Sequence, residues 1–460
     1  MVISQRTSMA IKALGFTTDE FILNASNAKV QQVMYDRESL YRYGAVFGRL
    51  NYIHNQKYIF NLTGRRDGSS RFGDNNRFAN FGAVGTAWLF SKEKFFENSS
   101  WITFGKLRAS YGITGSDLIG DYQYLNTYGI SSNNYNGVIG LEPMRLYNPD
   151  FSWETNKKFE IALETEFFKG RIAPSVSFYK NRSSNQLVGI PLPGTTGFST
   201  VQENLQATVE NRGWEFLIKT LNIDKKQFQW QTYFNLSVPK NKLLAFPNLA
   251  ESTYANQYEI GQPITIRKMY NYTGINKETG LYEVEDVNAD GIIDSKDRTS
   301  FIDIGVKYHG GIGNSITCKN WKVDFLWQFV KQTAYTPDFF SAYPGINYNR
   351  AKRSTDYFTI NNPDALYQMP TSGKNSQAVQ AYQNYKLSNA VVMDASYIRL
   401  KTVQIQYSFN VSALKGNEVS VYVQGYNLWT LTKFWGNDPE TVGGYLPALR
   451  TLALGINVNL

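Results

Sequence analysis

Apolar and polar residues alternate strictly along TLALGINVNL, the last ten residues of the chain. One parity, from Leu452 to Leu460, is entirely apolar, whereas the other, from Thr451 to Asn459, is small or polar. Because successive side chains of a strand point to opposite faces of its sheet, this segment predicts a strand with one apolar face. Two architectures use such a strand: a soluble sandwich, and a barrel with lipid outside and water inside.

Similar alternating or β-rich segments recur along the chain, whereas helical periodicity is scarce. One of them, SYIRLKTVQIQYSF, changes phase between Leu400 and Val403, and a β-bulge near Lys401 and Thr402 would reconcile its two halves. The pattern predicts about 13 strands, near residues 41–53, 57–66, 78–91, 101–115, 156–168, 171–186, 207–220, 227–240, 303–317, 321–332, 396–410, 417–431 and 450–460.

The predicted connections alternate between short and long. Short turns are expected near 54–56, 92–100, 169–170, 221–226, 318–320 and 411–416, and long loops at 67–77, 116–155, 187–206, 241–302, 333–395 and 432–449. Short turns on one rim and long loops on the other are typical of outer-membrane barrels, and a soluble sandwich has no reason to sort its loops this way. The fold prediction is therefore an all-β, antiparallel transmembrane β-barrel. If the final strand ends on the periplasmic side, every long loop lies outside the cell.

Composition narrows the possibilities further. The chain has 460 residues with 15% aromatic residues, and Tyr and Trp favour membrane interfaces. Its single cysteine, Cys318, excludes an intrachain disulfide, and its net charge of +9 is not gathered into a stripe that would bind nucleic acid. No apolar run approaches the roughly 18 residues of a membrane helix. The N-terminus does not resemble a secretory signal, so we expect a fragment of a longer product.

The segment DVNADGIIDSKD has the spacing of an EF-hand-type calcium loop. Side-chain or carbonyl oxygens at positions 1, 3, 5, 7, 9 and 12 suit a hard cation, and Gly291 allows the sharp turn. Asp rather than Glu at position 12 shortens the bidentate reach, and an ordinary Asn/Asp/Gly turn remains the alternative. The candidate calcium ligands are Asp286, Asn288, Asp290, Ile292, Asp294 and Asp297.

Other charged motifs give no catalytic site. Arg65, Arg66 and Arg71 of RRDGSSRFG could contact an anionic ligand, although solvated charges at a turn are the simpler interpretation. Paired glycosidase carboxylates could come from Glu154, Glu160, Glu164 and Glu166. Three of these, Glu160, Glu164 and Glu166, share one strand parity, which favours the polar wall of a hydrated pore. Neither histidine has a nucleophile or a carboxylate at useful spacing. We therefore predict that the protein is not an enzyme.

Three blocks of sequence resemble the C-terminal part of SusC/RagA-type TonB-linked outer-membrane transporters. They are YIFNLTGRRDGSSRFG, then FGKLRASYGITGS, and finally NLWTLTKFWGNDPE, and they follow the order of the family. The resemblance extends from about residue 40 to residue 460. It assigns 41–460 to the C-terminal portion of the barrel and 1–40 to a loop or strand remnant, with the plug domain absent. One departure is the terminal Leu460, where the family usually ends in an aromatic residue.

The resemblance implies a 22-stranded barrel of the Gram-negative outer membrane, filled by an N-terminal plug. It also implies a SusD-like surface lipoprotein that captures glycans or peptides, and a TonB–ExbB–ExbD complex that drives import through the plug. With only about 13 strands, the chain alone is expected to be inactive. Two alternatives remain, a passive porin-like barrel and a soluble all-β carbohydrate-binding protein. The substrate-binding residues cannot be predicted from the sequence.

Overall fold

A single antiparallel sheet dominates the computed structural model, which describes residues 2–97, 99–346, 355–410, 418–443 and 445–458. Each strand of this sheet pairs with the next one along the chain. Its fourteen strands are β1 (Val2–Leu14), β2 (Val30–His54), β3 (Tyr58–Ser69), β4 (Phe78–Trp88), β5 (Ile102–Ser116), β6 (Glu154–Phe167), β7 (Ile172–Pro191), β8 (Thr200–Lys225), β9 (Phe228–Ala245), β10 (Tyr308–Cys318), β11 (Trp321–Lys331), β12 (Tyr397–Asn410), β13 (Glu418–Thr432) and β14 (Thr451–Val458).

All thirteen predicted segments are strands of this sheet, and the predicted all-β, antiparallel class is confirmed. The count of about 13 was one too low, because β1 was missed. Its sequence, VISQRTSMAIKAL, mixes apolar and polar residues on both parities, so it carries little periodic signal. It pairs along its whole length with the first part of β2, which begins at Val30 and not near residue 41.

The predicted β-bulge in β12 is present. Leu326 of β11 is opposite Thr402, and the next residue, Trp327, is opposite Leu400, so Lys401 is left out of the register. The pairing of β12 with β13 shifts at the same place. The extra residue restores the apolar parity, which explains the change of phase in the sequence.

The apolar parity of the last strand faces away from the protein. Leu452, Leu454 and Ile456 are 73%, 80% and 67% exposed. A soluble sandwich would bury these side chains between two stacked sheets, so the sandwich alternative is wrong. On β6 to β9 the same kind of parity divides the sheet into an apolar face, which carries Trp214, and a polar face, which carries Glu215.

Most connections alternate in length as the sequence predicts, but 89–101 on the short-turn rim is longer than 70–77 and 192–199 on the opposite rim. One rim carries short turns, such as those at 168–171, 226–227 and 319–320, together with the longer 89–101 connection. The predicted turn at 411–416 lies outside the described residues. The other rim carries the long loops 15–29, 70–77, 117–153, 192–199, 246–307, 332–396 and 433–450.

The long loops contain the remaining regular structure. Two α-helices, α1 (Pro337–Phe340) and α2 (Ser376–Lys386), lie between β11 and β12, and no described helix is both long and apolar enough to span a membrane. Short strands pair within the loops at Tyr128–Tyr135 with Val138–Pro143, Ile266–Met269 with Ser300–Asp303, Tyr272–Ile275 with Tyr282–Val284, and Thr333–Tyr335 with Val392–Asp394. Single 3-10 turns span Asp19–Leu23, Ala25–Asn27, Phe90–Lys92, Gly194–Thr196, Leu249–Glu251, Ser295–Asp297 and Asn389–Val391.

The described clusters of buried apolar residues lie at the long-loop rim. The largest cluster joins the two longest loops and contains Met269, Tyr282, Tyr382, Tyr385 and Val391. Three smaller clusters lie where long loops meet strand ends, around Phe72, Leu243 and Phe434. The loops therefore form packed bodies that stand on the rim of the sheet.

A buried arginine fastens the last long loop to the sheet. Arg399 of β12 is 0% exposed, and its guanidinium donates to both carboxylate oxygens of Asp438 at 2.7 Å and to Glu440 at 2.6 Å. Its Nε donates to Thr430 of the neighbouring strand. The bidentate geometry and the additional hydrogen bonds compensate the cost of removing these charges from water.

We expect Arg399→Ala to destabilise the chain by about 3–5 kcal/mol, because Asp438 is left buried without its counter-charge. Lys401→Ala is a matched control on the same strand. Its ammonium also approaches Glu440, at 3.5 Å, but both side chains are about one-third exposed, so the loss should stay within about 1 kcal/mol. Urea unfolding of the full chain in detergent measures both values, and equal losses would contradict the role assigned to Arg399.

Candidate functional site

The two longest loops, 246–307 and 332–396, pack into one body through tyrosine side chains. The rings of Tyr282 and Tyr385 stack at 4.0 Å between centroids. Burial raises the pKa of both hydroxyls. The fully buried Gln368 links the loops, because it accepts from the backbone N–H of Tyr282 and donates to the carbonyl of Ala378.

A cavity of about 480 Å³ opens in this loop body. One wall is aromatic, with Tyr335 and Phe339 stacked at 4.0 Å between ring centroids. Four of the lining residues are cationic, and two carry amides. The lining consists of Asn256, Gln257, Tyr258, Ile264, Ile266, Arg267, Lys268, Met269, Arg298, Tyr335, Phe339, Lys386 and Leu387.

The cationic side chains that line this cavity differ in their interactions with the rest of the protein. Lys268 forms an ion pair with Glu259 at 2.7 Å. Lys386 lies 5.7 Å from the Phe339 ring centroid, and burial lowers the pKa of its ammonium. Arg298 stacks over Tyr270, and its buried Nε has no hydrogen-bond partner. The cavity can therefore accept carbonyl, hydroxyl or anionic oxygens beside an aromatic surface.

The predicted calcium loop folds around its own backbone. One carboxylate oxygen of Asp286 accepts from the backbone N–H of Gly291 at 2.8 Å, and Asp290 accepts from the N–H of Ile292, also at 2.8 Å. Asn288 accepts from the N–H of Asp290. Ala289 and Gly291 have positive φ angles, which gives the sharp turn that the glycine predicted.

Asp297, at the twelfth position, closes this loop. It is fully buried, and its two carboxylate oxygens accept from the N–H groups of Val287 and Asp294, at 3.0 and 2.9 Å. The backbone N–H of Asp294 and then that of Val287 hold the pKa of the Asp297 carboxyl below its ordinary value. Asp294 accepts from the N–H of Lys296 and so caps the short turn that follows.

The six predicted ligands thus lie in one compact loop. Within the described residues, no group of three or more His, Cys, Asp or Glu side chains converges in the arrangement of a metal site. One oxygen of Asp286 is nevertheless buried without a hydrogen-bond partner, and it is the acceptor that an added cation would satisfy.

The other charged motifs are paired within the protein. Arg65 forms an ion pair with Asp67 at 2.9 Å, and Arg71 forms one with Asp121 at 2.9 Å. Arg108 bridges Glu160 and Glu164, at 2.6 and 2.8 Å, which places both carboxylates on the polar face of the sheet. These pairs favour a structural role at the strand ends and a polar wall over a catalytic carboxylate pair.

Comparison with known proteins identifies the barrel. A family model described as TonB dependent receptor-like, beta-barrel, matches residues 11–428. The chain belongs to this family. The family consists of TonB-dependent transporters and not of enzymes, so the prediction that the chain is not an enzyme is confirmed.

Several TonB-dependent receptors are similar to this chain. TonB-dependent receptor P26 of Formosa agariphila is 29% identical over 97% of the chain, and SusC of Bacteroides thetaiotaomicron is 26% identical over 96%. The RagAB peptide transporter superposes with a TM-score of 0.82 over 99% of the chain and 52% of its own, at 24% identity, which shows a shared fold. The resemblance to SusC/RagA-type transporters is thereby confirmed.

The chain spans about half the length of the curated relatives it matches, 49% of P26 and 46% of SusC. The match to P26 covers 97% of the chain and therefore includes both the sheet and the long loops. The fourteen strands described above are therefore a TonB-dependent receptor barrel wall, and the loop body with its cavity stands on the rim of that wall.

Sequence analysis did not find the cavity of this TonB-dependent receptor. Its cations come from three separate stretches, at 267–268, 298 and 386, and no spacing rule connects them. The only available signal was the abundance of Tyr, Asn and Gly in the long loops. The calcium loop, in contrast, is local, so its spacing was visible directly.

We expect Asp297→Asn to loosen the 286–297 loop, because the amide supplies one weaker acceptor where two carboxylate oxygens serve two N–H groups. The folded state favours ionised Asp297, so its contribution is present above the ordinary Asp pKa of about 3.9 and is lost as the pH falls through the lowered folded value. Hydrogen exchange of the Val287 and Asp294 amides, measured by mass spectrometry, should be faster in the variant at pH 7. The difference should shrink near pH 2.5, and an equal difference at both pH values would contradict this assignment.

Proposed function

We propose that the chain forms the barrel wall of an active importer in the Gram-negative outer membrane. The observation that carries the proposal is the apolar face of the sheet. A surface on which Leu454 is 80% exposed costs little in lipid and much in water. The separation of short turns from long loops on opposite rims supports the same proposal.

The wall acts as part of a larger closed barrel. In the described sheet, β1 is paired only with β2, and β14 only with β13, so each leaves one edge of N–H and C=O groups without a strand partner. Lipid offers no hydrogen bonds, and an open edge is therefore not tolerated within the hydrocarbon region. Further strands of a 22-stranded barrel would satisfy both edges. Without them we expect no transport.

The polar face suits the plug and the energy source that the family implies. Charged pairs such as Lys106 with Glu164, at 3.2 Å, line this face and remain hydrated when a polar plug domain fills the lumen. In the proposed mechanism, TonB–ExbB–ExbD displaces the plug from the periplasmic side. The fourteen strands then act as a rigid frame, because backbone hydrogen bonds join each strand to its neighbours in the sheet.

The long loops suit an extracellular partner and a polar cargo. We propose a SusD-like surface lipoprotein over the long-loop rim and an oligosaccharide or peptide as cargo. The resemblance to SusC/RagA-type transporters implies both cargo classes, and the similar RagAB transporter is named for peptide. The loop cavity supports this choice, since its aromatic wall can stack on a sugar or a side chain while Arg298 and the amides bind oxygens.

Uptake measurements in the native host separate this proposal from a passive porin-like barrel. We expect the protein in the outer-membrane fraction, and we expect deletion of its gene to abolish uptake of a labelled oligosaccharide or peptide pool. We also expect collapse of the proton gradient to abolish that uptake in the wild type. Gene-dependent uptake that persists after collapse would identify a porin, and recovery of the protein in the soluble fraction would exclude both.

We further propose that the 286–297 loop binds Ca²⁺. Asp286, Asn288 and Asp290 would supply side-chain oxygens and Ile292 its carbonyl, with Asp294 and Asp297 completing the set. The unpartnered oxygen of Asp286 supports this proposal, and the hydrogen bonds to Gly291 and Ile292 already hold two carboxylates in place. The ion would stiffen a loop beside the cavity body.

Calorimetric titration with CaCl₂ tests the proposal directly. We expect saturable heat from the full chain and its loss in Asp290→Ala, whereas Asp364→Ala, which removes an exposed loop carboxylate outside the 286–297 segment, should behave as the wild type. Absence of heat from the wild type, or equal heat from both variants, would exclude a calcium site here.

A further inference from the structure

Six cations lie together on the apolar face of four neighbouring strands, β6 to β9. The register forms two complete rows across the sheet. Lys157, Arg182, Glu210 and Lys242 are aligned in one row, and Phe159, Lys180, Arg212 and Lys240 are aligned in the next. We call Lys157, Lys180, Arg182, Arg212, Lys240 and Lys242 the basic patch.

An aromatic row lies directly beneath the basic patch. Phe178 and Trp214 are cross-strand neighbours, one alternation closer to the short turns, and their ring centroids are 5.0 Å apart. From Trp214, β8 continues eleven residues to Lys225, roughly 36 Å at about 3.3 Å per residue. A barrel tilt of about 40° reduces this length to roughly 28 Å, close to the height of about 25 Å of an outer-membrane apolar band. The aromatic row therefore marks the upper boundary of the lipid, and the basic patch stands at the level of the headgroups.

The charges of the basic patch are not balanced. Glu210 is 4% exposed and accepts from Arg182 at 2.8 Å, with Lys180 at 3.4 Å and Arg212 at 3.8 Å. The described part of the chain places no carboxylate in ion-pair contact with Lys157, Lys240 or Lys242, and all three side chains are exposed. Six cations against one carboxylate leave five positive charges. The central Glu210 holds three of these cations in position, but its single charge does not neutralise the basic patch.

We propose that the basic patch binds the phosphate groups of lipopolysaccharide in the outer leaflet. This inference rests on the proposed membrane embedding of the barrel. Several neighbouring Lys and Arg side chains bind a phosphate group well, through charge-assisted hydrogen bonds to its oxygens. A phosphorylated lipid also fits the apolar row, since its acyl chains contact Phe178 and Trp214 while its phosphates reach the cations above. A free phosphate ion would gain nothing from that row.

The matched variants are two doubles that remove equal charge from opposite faces of the sheet. Lys240→Gln with Lys242→Gln removes two patch cations that have no carboxylate partner, so folding should be unaffected. Lys158→Gln with Lys219→Gln removes two exposed cations from the polar face. Both preparations are first checked for recovery with the outer-membrane fraction.

Binding of fluorescent lipopolysaccharide to the full chain in mild detergent is then measured, with and without inorganic phosphate. We expect the patch double to bind about 25-fold more weakly, about fivefold for each lysine at an anionic membrane surface, and the control double to bind as the wild type. Equal binding by both doubles overturns the inference but leaves the outer-membrane assignment intact. Complete displacement by millimolar phosphate identifies a free-anion site and also overturns it. Absence of the wild-type protein from the outer-membrane fraction contradicts both the proposed membrane embedding and the lipopolysaccharide site.

Discussion

Satisfaction of backbone hydrogen bonds between neighbouring strands is the constraint on which this structure depends. Each of the fourteen strands obtains its hydrogen-bond partners from the strands beside it, as a strand must in the proposed lipid surroundings, which offer no hydrogen bonds. Consecutive antiparallel pairing achieves this without any crossover connection. Because the backbone groups pair with one another, the side chains do not have to satisfy them. One face of the sheet can therefore carry apolar side chains and the other polar ones.

The division between sheet and loops follows from the same constraint. The sheet needs no interior packing of its own, and the described clusters of buried apolar side chains lie at the long-loop rim. There the backbone is irregular, and tertiary contacts such as the stacked Tyr282 and Tyr385 must compensate for the loss of a regular ladder. The buried Arg399 connects the sheet to a loop, because it lies on a strand and binds carboxylates of the 433–450 loop.

Sequence alone predicted the sheet well because a strand in a barrel wall repeats every two residues. This period located thirteen strands and even the bulged Lys401, which interrupts the repeat. The same period did not locate β1, where apolar residues occupy both parities.

The sequence also predicted the position of the calcium loop, since its oxygens come from twelve consecutive residues. The cavity was not predicted, because Lys268, Arg298 and Lys386 meet only through the packing of two long loops. The basic patch required the register, because its six cations are scattered over four strands.

The self-contained packing of the long loops has an evolutionary consequence. Since the largest apolar cluster lies wholly within the 246–307 and 332–396 loops, these two loops can be exchanged together for others of different length with little disturbance of the hydrogen-bonded frame below. Recombination between paralogous genes at the strand ends would then generate new specificities in single steps. In a lineage with many such genes, sequence divergence should accordingly be concentrated in the long loops, while the strands of the sheet change more slowly.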